Sequence, residues 1–198
     1  MSPRRSVALA AILVVCVVAA LAGVAAQRRH ATPARDFAGT PVSPSKHAED
    51  FVLTDGNGRP AHVLAKAPLE FLFFGYTHCP DECPVAMASL GRAYRSLDAN
   101  ARARTRVVFV TVDPKRDTPP VVGRYVSSFD PHFVGLTGTR RDLARVWRSY
   151  GVDVLPNGND IGHGGVIYAI DERANNVLIY TPDAPATALA GDAAKLAE

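Results

Sequence analysis

The stretch FFGYTHCPDECPVAM, residues 73–87, sets Cys79 and Cys83 four positions apart in a proline-containing turn directly after an apolar run. The chain has three cysteines in all, so what these two do together is the first question: cross-link, shuttle electrons, or hold a metal. Pro80 and Pro84 fit only the first turn of a helix, where the missing N–H is an orphan anyway. That places Cys79 just before a helix and Cys83 in its first turn. Across such a start the Cα atoms of residues i and i+4 lie roughly 6 Å apart, within reach of a disulfide. A purely structural bridge closing so short a loop removes little chain entropy, however. The positive end of the helix dipole lowers thiol pKa and favours thiolates. Asp81 and Glu82 oppose thiolate formation but make the local field attractive to a cation. A redox dithiol gains nothing obvious from two carboxylates between its thiols, whereas a metal site does; acids in a first helical turn are also common simply because of the dipole.

The elements that must position these thiols follow from the pattern around them. DFVLTDGNGRPAHVL reads as a β-hairpin turning at Asp55 to Gly58. LEFLFFGY, 69–76, is a buried strand, and the helix after it places Leu90, Tyr94 and Leu97 on one face. RVVFVTVD, 106–113, is a second buried strand, PPVVGRYVSSF a helix with proline in its first turn, and FVGLTG a short strand. TRRDLARVWRSYG is a helix stopped by Gly151. GVIYAID and NVLIY form a hairpin across Glu172 to Asn175, and APATALAGDAAKLAE closes the chain as a helix. Strands alternating with helices, then a hairpin and a last helix, predict an α/β sandwich with a mixed sheet and an N-terminal β-hairpin. A thioredoxin-like topology fits this order.

That topology directs attention to His163. It lies in NDIGHGGVIYAID, immediately before a strand, in the loop that faces the active-site turn of a thioredoxin-like fold. An ordinary thioredoxin has a cis-proline there; this chain has His163 among glycines, which allow close backbone approach and leave room for an ion. The alternative is a loop histidine with no role. Other histidines have weaker claims: His78 adjoins Cys79 but is expected to point away, His30 and His47 belong to or border a linker, and His62 and His132 read as surface or strand-edge residues. Two soft thiolates and one imidazole suit copper as Cu(I) or Cu(II), and less exclusively zinc. A structural zinc wants a fourth protein ligand, and none stands out, Asp160 being merely near in sequence. Asp113, Arg116 and Asp117 in TVDPKRDTP either brace the loop beside the site, dock a partner, or stabilise their own turn; they are left out of the metal set.

Residues 7–26 are free of charge, long enough to span a hydrocarbon core of roughly 30 Å as a helix. Arg4 and Arg5 precede them and fit a cytoplasmic N-terminus; Arg28 and Arg29 follow. The expectation is an uncleaved signal anchor over 1–26, with a cleaved signal peptide as the rival. Either delivers the rest to the extracytoplasmic side, where a disulfide is permitted. Cys16 reads as a lipid-facing apolar residue. Residues 27–46, rich in Pro, Ala, Ser and Thr, read as a flexible linker, so the folded domain is expected over 47–198. The formal net charge is +3, but the four arginines named above account for it and the remainder is about neutral. No basic face is implied, and nucleic acid is not an expected partner. The chain lacks a P-loop and a G-x-G-x-x-G, and its GHGG is unaccompanied by a G-x-S-x-G.

GYTHCPDECP, TVDPKRDTP and a downstream histidine before VIYAID resemble the Sco/SenC family of membrane-anchored copper proteins over roughly residues 48–198. The resemblance implies a thioredoxin-like fold. It also implies one copper held by the two cysteines of the C-x-x-x-C motif and a distant histidine, which correspond to Cys79, Cys83 and His163. It implies a metallochaperone, not principally an enzyme, assisting assembly of the binuclear copper centre of cytochrome c oxidase as copper donor, as thiol reductant through a reversible Cys79–Cys83 disulfide, or both. The partner would be the copper-bearing oxidase subunit or another copper chaperone, and the location the periplasmic side of a bacterial inner membrane. Where the family usually has an acid before the histidine and a hydroxyl residue after it, this chain has Gly162 and Gly164, which removes a side chain that could orient the imidazole. Two other classes stay open: a general thiol–disulfide oxidoreductase or peroxidase on the same fold, and a copper-responsive redox sensor.

Overall fold

The computed structural model describes residues 36–197 apart from 66, 158, 159 and 164, with backbone alone for 156, 157 and 160–163. The apolar run 7–26 lies outside the described residues; among those described, no helix is long and apolar enough to cross a membrane. The chain divides into two units, Met1–Asp36 and Phe37–Glu198, and the strands and helices below all belong to the second.

The strands are β1 (Thr40–His47), β2 (Val52–Asp55), β3 (Pro60–His62), β4 (Leu69–Gly75), β5 (Thr105–Thr111), β6 (Val134–Thr137), β7 (Val154–Asn157), β8 (Asp160–His163), β9 (Ile167–Asp171) and β10 (Asn175–Tyr180). The helices are α1 (Glu82–Ser96), α2 (Ala99–Arg104), α3 (Pro119–Ser127), α4 (Arg140–Tyr150) and α5 (Ala186–Leu196). Eight strands make one mixed sheet in the order β1-β10-β9-β4-β5-β6-β2-β3. At its centre β4 runs parallel to β5, with Phe73 opposite Phe109, and β5 parallel to β6; β9 runs antiparallel to β4. This is the mixed α/β arrangement the element order implies.

The sequence explains the centre of this sheet directly. All seven residues of β4 are buried, as a strand covered on both faces requires, so its pattern is an apolar run interrupted only by Glu70 and not an alternation. Phe71, Phe73, Phe74, Phe109, Leu72, Met87, Leu90, Leu136 and Ile167 are fully buried around it. The one acid within the strand, Glu70, is 2 % exposed; it accepts from Arg106 Nη1 at 2.5 Å and from the Ala65 amide at 2.7 Å, as a buried charge must. Leu90, Tyr94 and Leu97 all face the core. The expected hairpin turn is made by Asp55, whose Oδ1 accepts from the amides of Asn57 and Arg59 at 2.9 and 2.8 Å, with Gly58 at φ 77°. Gly151 ends α4 at φ 70°, a backbone that favours glycine.

Three differences from expectation matter. The folded unit begins at Phe37, not 47, because residues read as linker form β1 against β10. Pro41 and Pro44 hid this strand; they are tolerated because β1 is the sheet edge. Asp192, buried on α5, accepts from the Ala38 and Gly39 amides at 2.9 Å each and from the Tyr180 hydroxyl at 3.0 Å, fixing the chain as it enters β1. Second, a short helix, α2, follows Asp98, whose carboxylate caps the Ala101 amide at 2.8 Å. Third, the stretch read as a glycine-rich loop around His163 is strand β8, paired antiparallel with β7 so that Val154 lies opposite His163 and Asn157 opposite Asp160. Two residues, Gly158 and Asn159, separate that last pair in sequence, the spacing of a tight hairpin.

Candidate metal centre

Cys79 and Cys83 flank the junction between β4 and α1: Cys83 and Pro84 lie in the first turn of α1 as expected, whereas Pro80 precedes the helix and is not in its first turn. The chain leaves β4 at Gly75, the Cys79 amide donates to the Tyr76 carbonyl at 3.2 Å, and α1 begins at Glu82. The two cysteines are not joined in a disulfide and are adjacent: the Cys83 amide donates to Cys79 Sγ at 3.5 Å. They are not equivalent. Cys79 is half-buried, whereas Cys83 is 0 % exposed and lies on the end of β4. A Cβ at Gly75 would come within 2.8 Å of Cys83 Sγ and 2.9 Å of the Phe109 ring, so Gly75 makes the space this sulfur occupies.

Burial outweighs the helix dipole at Cys83. Desolvation pushes its thiol far above the ordinary cysteine range, against a backbone hydrogen bond with Tyr76, and Cys79 and the charge of Glu82 push the same way as burial. The expectation of a dipole-stabilised thiolate is therefore corrected for Cys83. It is a thiol in the free protein, and its conversion to a ligand requires a cation to displace the proton.

Asp117 settles what TVDPKRDTP does for this turn. Its carboxylate is fully buried and accepts from the Thr77 amide at 3.0 Å, the Thr77 hydroxyl at 2.6 Å and the Thr111 hydroxyl at 2.6 Å. Thr77 lies two residues before Cys79, so the carboxylate ties the cysteine turn to the end of β5. Arg116 pairs with Asp113 and stacks over Tyr76 with its guanidinium 5.8 Å from the ring centre. These residues brace the turn.

The histidines sort themselves by contact. His62 is bound to Asp50 at 2.6 Å and His132 to Asp130 at 2.9 Å. His78 is exposed; its Nδ1 is 3.0 Å from the Thr77 hydroxyl and 3.8 Å from Asp117. The His163 side chain lies outside the described residues. Its backbone ends β8, and the chain just beyond it is located: a Cβ on Gly165 would meet Glu82 Oε2 at 2.7 Å and Pro182 at 3.0 Å. Gly165 thus rests against the first residue of α1, one position before Cys83. Among the described residues no three His, Cys, Asp or Glu side chains gather into a metal cluster.

Chemically, the junction offers two adjacent sulfurs, one reachable from solvent and one beneath it. Two surface grooves, of about 430 Å³ beside Asp55 and Gly123 and about 290 Å³ beside Tyr150 and Tyr168, are lined by other residues. The dithiol is an exposed junction and not the floor of either groove. It suits an ion or a partner's sulfur better than an enclosed small molecule.

A model of the SCO1/SenC family matches residues 39–198. The chain is 37 % identical over 129 residues to the mitochondrial protein SCO2 of Saccharomyces cerevisiae, an alignment covering 61 % of this chain and 43 % of the yeast protein; it thus spans about two fifths of that relative's length. Among solved structures it superimposes on the apo Sco1 protein of Thermus thermophilus with a TM-score of 0.72 at 32 % identity, covering 83 % of this chain and 99 % of that one. It superimposes on copper-bound ScoI of Arabidopsis thaliana with a TM-score of 0.69 at 30 % identity, covering 76 % and 98 %.

Proposed function

The chain belongs to the SCO1/SenC family, and from that premise we propose that it is a copper chaperone. It holds one copper ion as cargo through Cys79, Cys83 and His163 and serves assembly of the binuclear copper centre of cytochrome c oxidase. The observation that supports this most is the pairing of two adjacent thiols at the β4–α1 junction with a backbone that returns, just after His163, to the first residue of that helix. A copper-bound relative of the same fold supports the choice of metal. Soft thiolates with one imidazole form a donor set that copper takes readily. On binding, the cation displaces the thiol protons to water. Cys83 supplies the inner ligand, and Cys79 the outer one that an incoming thiol pair meets first. Placing His163 on a two-stranded hairpin outside the main sheet lets one ligand be withdrawn without disturbing the core.

Residues 7–26 anchor the protein in a membrane with Arg4 and Arg5 on the cytoplasmic side, and the folded unit faces the extracytoplasmic side, where it meets the oxidase copper subunit or another chaperone. Deleting the gene should lower oxidase activity and oxidase copper content, most visibly at limiting copper, with added copper restoring part of both. Normal activity and loading in a copper-limited deletion strain would contradict the assembly role.

The unequal burial of the two thiols favours one further reading: reduction of the partner's copper-site cysteine pair. A reachable attacking thiol with a buried resolving thiol is the arrangement disulfide exchange needs. Incubating the reduced protein with an oxidised peptide bearing that partner cysteine pair tests it. Stoichiometric formation of a Cys79–Cys83 disulfide is expected if this reading holds, and no exchange over hours would exclude it.

A further inference from the structure

Asp81 and Glu82 lie between the two cysteines, and the site as described gives them no task. Both are exposed. Asp81 stands at the N-cap of α1, yet its carboxylate caps no amide. Among the described residues neither acid is within ion-pair distance of a cation. The loop that braces the turn does not offset them: the charges of Asp113, Lys115, Arg116 and Asp117 cancel, and Arg116 is paired with Asp113. The outer sulfur sits beside these acids. Cys79 Sγ accepts from the Cys83 amide at 3.5 Å, and that amide nitrogen belongs to the peptide bond joining Glu82 to Cys83.

A sulfur that takes copper from Cys79, or exchanges with it, must therefore come in beside two uncompensated negative charges. Within a Debye length, about 10 Å at 0.1 M salt, such charges attract a cationic partner and repel an anionic one. Like charges set against each other are also a means of rejecting wrong partners. We propose that Asp81 and Glu82 set the specificity of the dithiol site, for a partner whose cysteines are flanked by lysine or arginine and against anionic thiols. This rests on the reading that Cys79 is the sulfur a partner meets first. In copper transfer, a copper–sulfur bond to the partner forms as the bond to Cys79 breaks. The partner's thiol proton passes through water to Cys79, and the oxidation state of copper does not change. In disulfide exchange, Cys79 attacks the partner's disulfide and one partner thiolate leaves; Cys83 then attacks the mixed disulfide and releases the other. Both reactions begin with the same approach, so the same charges govern both.

Small disulfides of different charge probe this approach without copper. The reduced full-length protein would be mixed with cystamine, which is cationic, with neutral 2-hydroxyethyl disulfide, or with anionic dithiodiglycolate, and oxidation of its thiols followed by mass spectrometry. Each rate is divided by that of the same disulfide with dithiothreitol, which removes differences between leaving groups. At low salt the normalised rate with cystamine should exceed that with dithiodiglycolate by about 10-fold or more, with the neutral disulfide between them. At about 1 M salt, where the Debye length is about 3 Å, the three should converge. In Asp81→Asn/Glu82→Gln, which removes the charges and keeps the shapes, the low-salt ratio should fall below about 3-fold. A ratio near one in the parent, or a parental ratio in the variant, overturns the proposal. So does a lower melting temperature in the variant with the ratio unmoved, which marks carboxylates that serve the helix alone. Cys79→Ser, assayed alongside, separates the two levels. Exchange at the parental rate there refutes Cys79 as the outer sulfur, and the proposal with it. Exchange lost there, with a parental ratio near one, refutes only the charge specificity.

Discussion

Asp117 and Thr77, 40 positions apart, are joined by two hydrogen bonds, the Thr77 amide at 3.0 Å and its hydroxyl at 2.6 Å, made to the two oxygens of one buried carboxylate. This is the contact that holds the cysteine turn to the sheet. Asp117→Ala would orphan the Thr77 amide and free the turn carrying Cys79. Urea unfolding should show a loss of about 2–4 kcal/mol, since buried donors are left unpaired. Asp117→Asn, which keeps an acceptor, should lose less. An Asp117→Ala protein as stable as the parent would show that the turn is held elsewhere.

The two thiols should differ in reactivity. Cys79 is half-buried, whereas Cys83 is fully buried and pushed upward by desolvation, and alkylation needs an accessible thiolate. Brief treatment of the reduced native protein with iodoacetamide, followed by peptide mass spectrometry, should label Cys79 well ahead of Cys83; labelling after denaturation should be equal. Equal labelling in the native state would contradict the burial of Cys83.

Gly75 should tolerate no side chain. A Cβ there would come within 2.8 Å of Cys83 Sγ and 2.9 Å of Phe109, both fully buried. Gly75→Ala should cost about 1–3 kcal/mol through overpacking and weaken copper binding by displacing Cys83. Thermal unfolding and chelator competition on the same sample check both. An unchanged melting temperature would show that the sulfur can move aside.

Alkali should destabilise the fold through its tyrosines. Burial, then the charge of Asp50, pushes the Tyr150 phenol upward; burial, then Asp192, does the same for Tyr180. Both groups hold their protons in the folded state at pH values where the unfolded chain, with phenol pKa near 10, has released them. Their contribution is fully present below about pH 10 and is lost as pH rises through and beyond it, by up to about 1.4 kcal/mol per pH unit for each group. Urea midpoints between pH 8 and 11 should fall above pH 10, less steeply in Tyr180→Phe. A flat profile would contradict the burial of these hydroxyls.

Local chemistry made much of this legible in advance. Proline and cysteine spacing located the β4–α1 junction, an apolar run interrupted only by Glu70 marked β4 as buried, and the turn from Asp55 to Gly58 placed the first hairpin. What escaped depended on partners distant in sequence. β1 reads as linker because its prolines obey the rules of a sheet edge, which is visible only once β10 and Asp192 are in place. The β7–β8 hairpin was obscured by Pro156 and by the glycines around His163, although NGND between two extended stretches is a usable turn signal. The burial of Cys83 follows from packing on Gly75 and Phe109, and no spacing rule reports it.

The ligand set itself decides the matter. The reduced full-length protein, its Cys79→Ser/Cys83→Ser variant and its His163→Ala variant would be titrated with Cu(I) and Cu(II), and bound metal measured after desalting. The parent should retain one copper per chain in either oxidation state and the double variant none. His163→Ala should lose Cu(II) more than Cu(I), because Cu(I) is content with two thiolates. Copper retained at parental affinity by the double variant, or Cu(II) fully retained without His163, would contradict the proposed site.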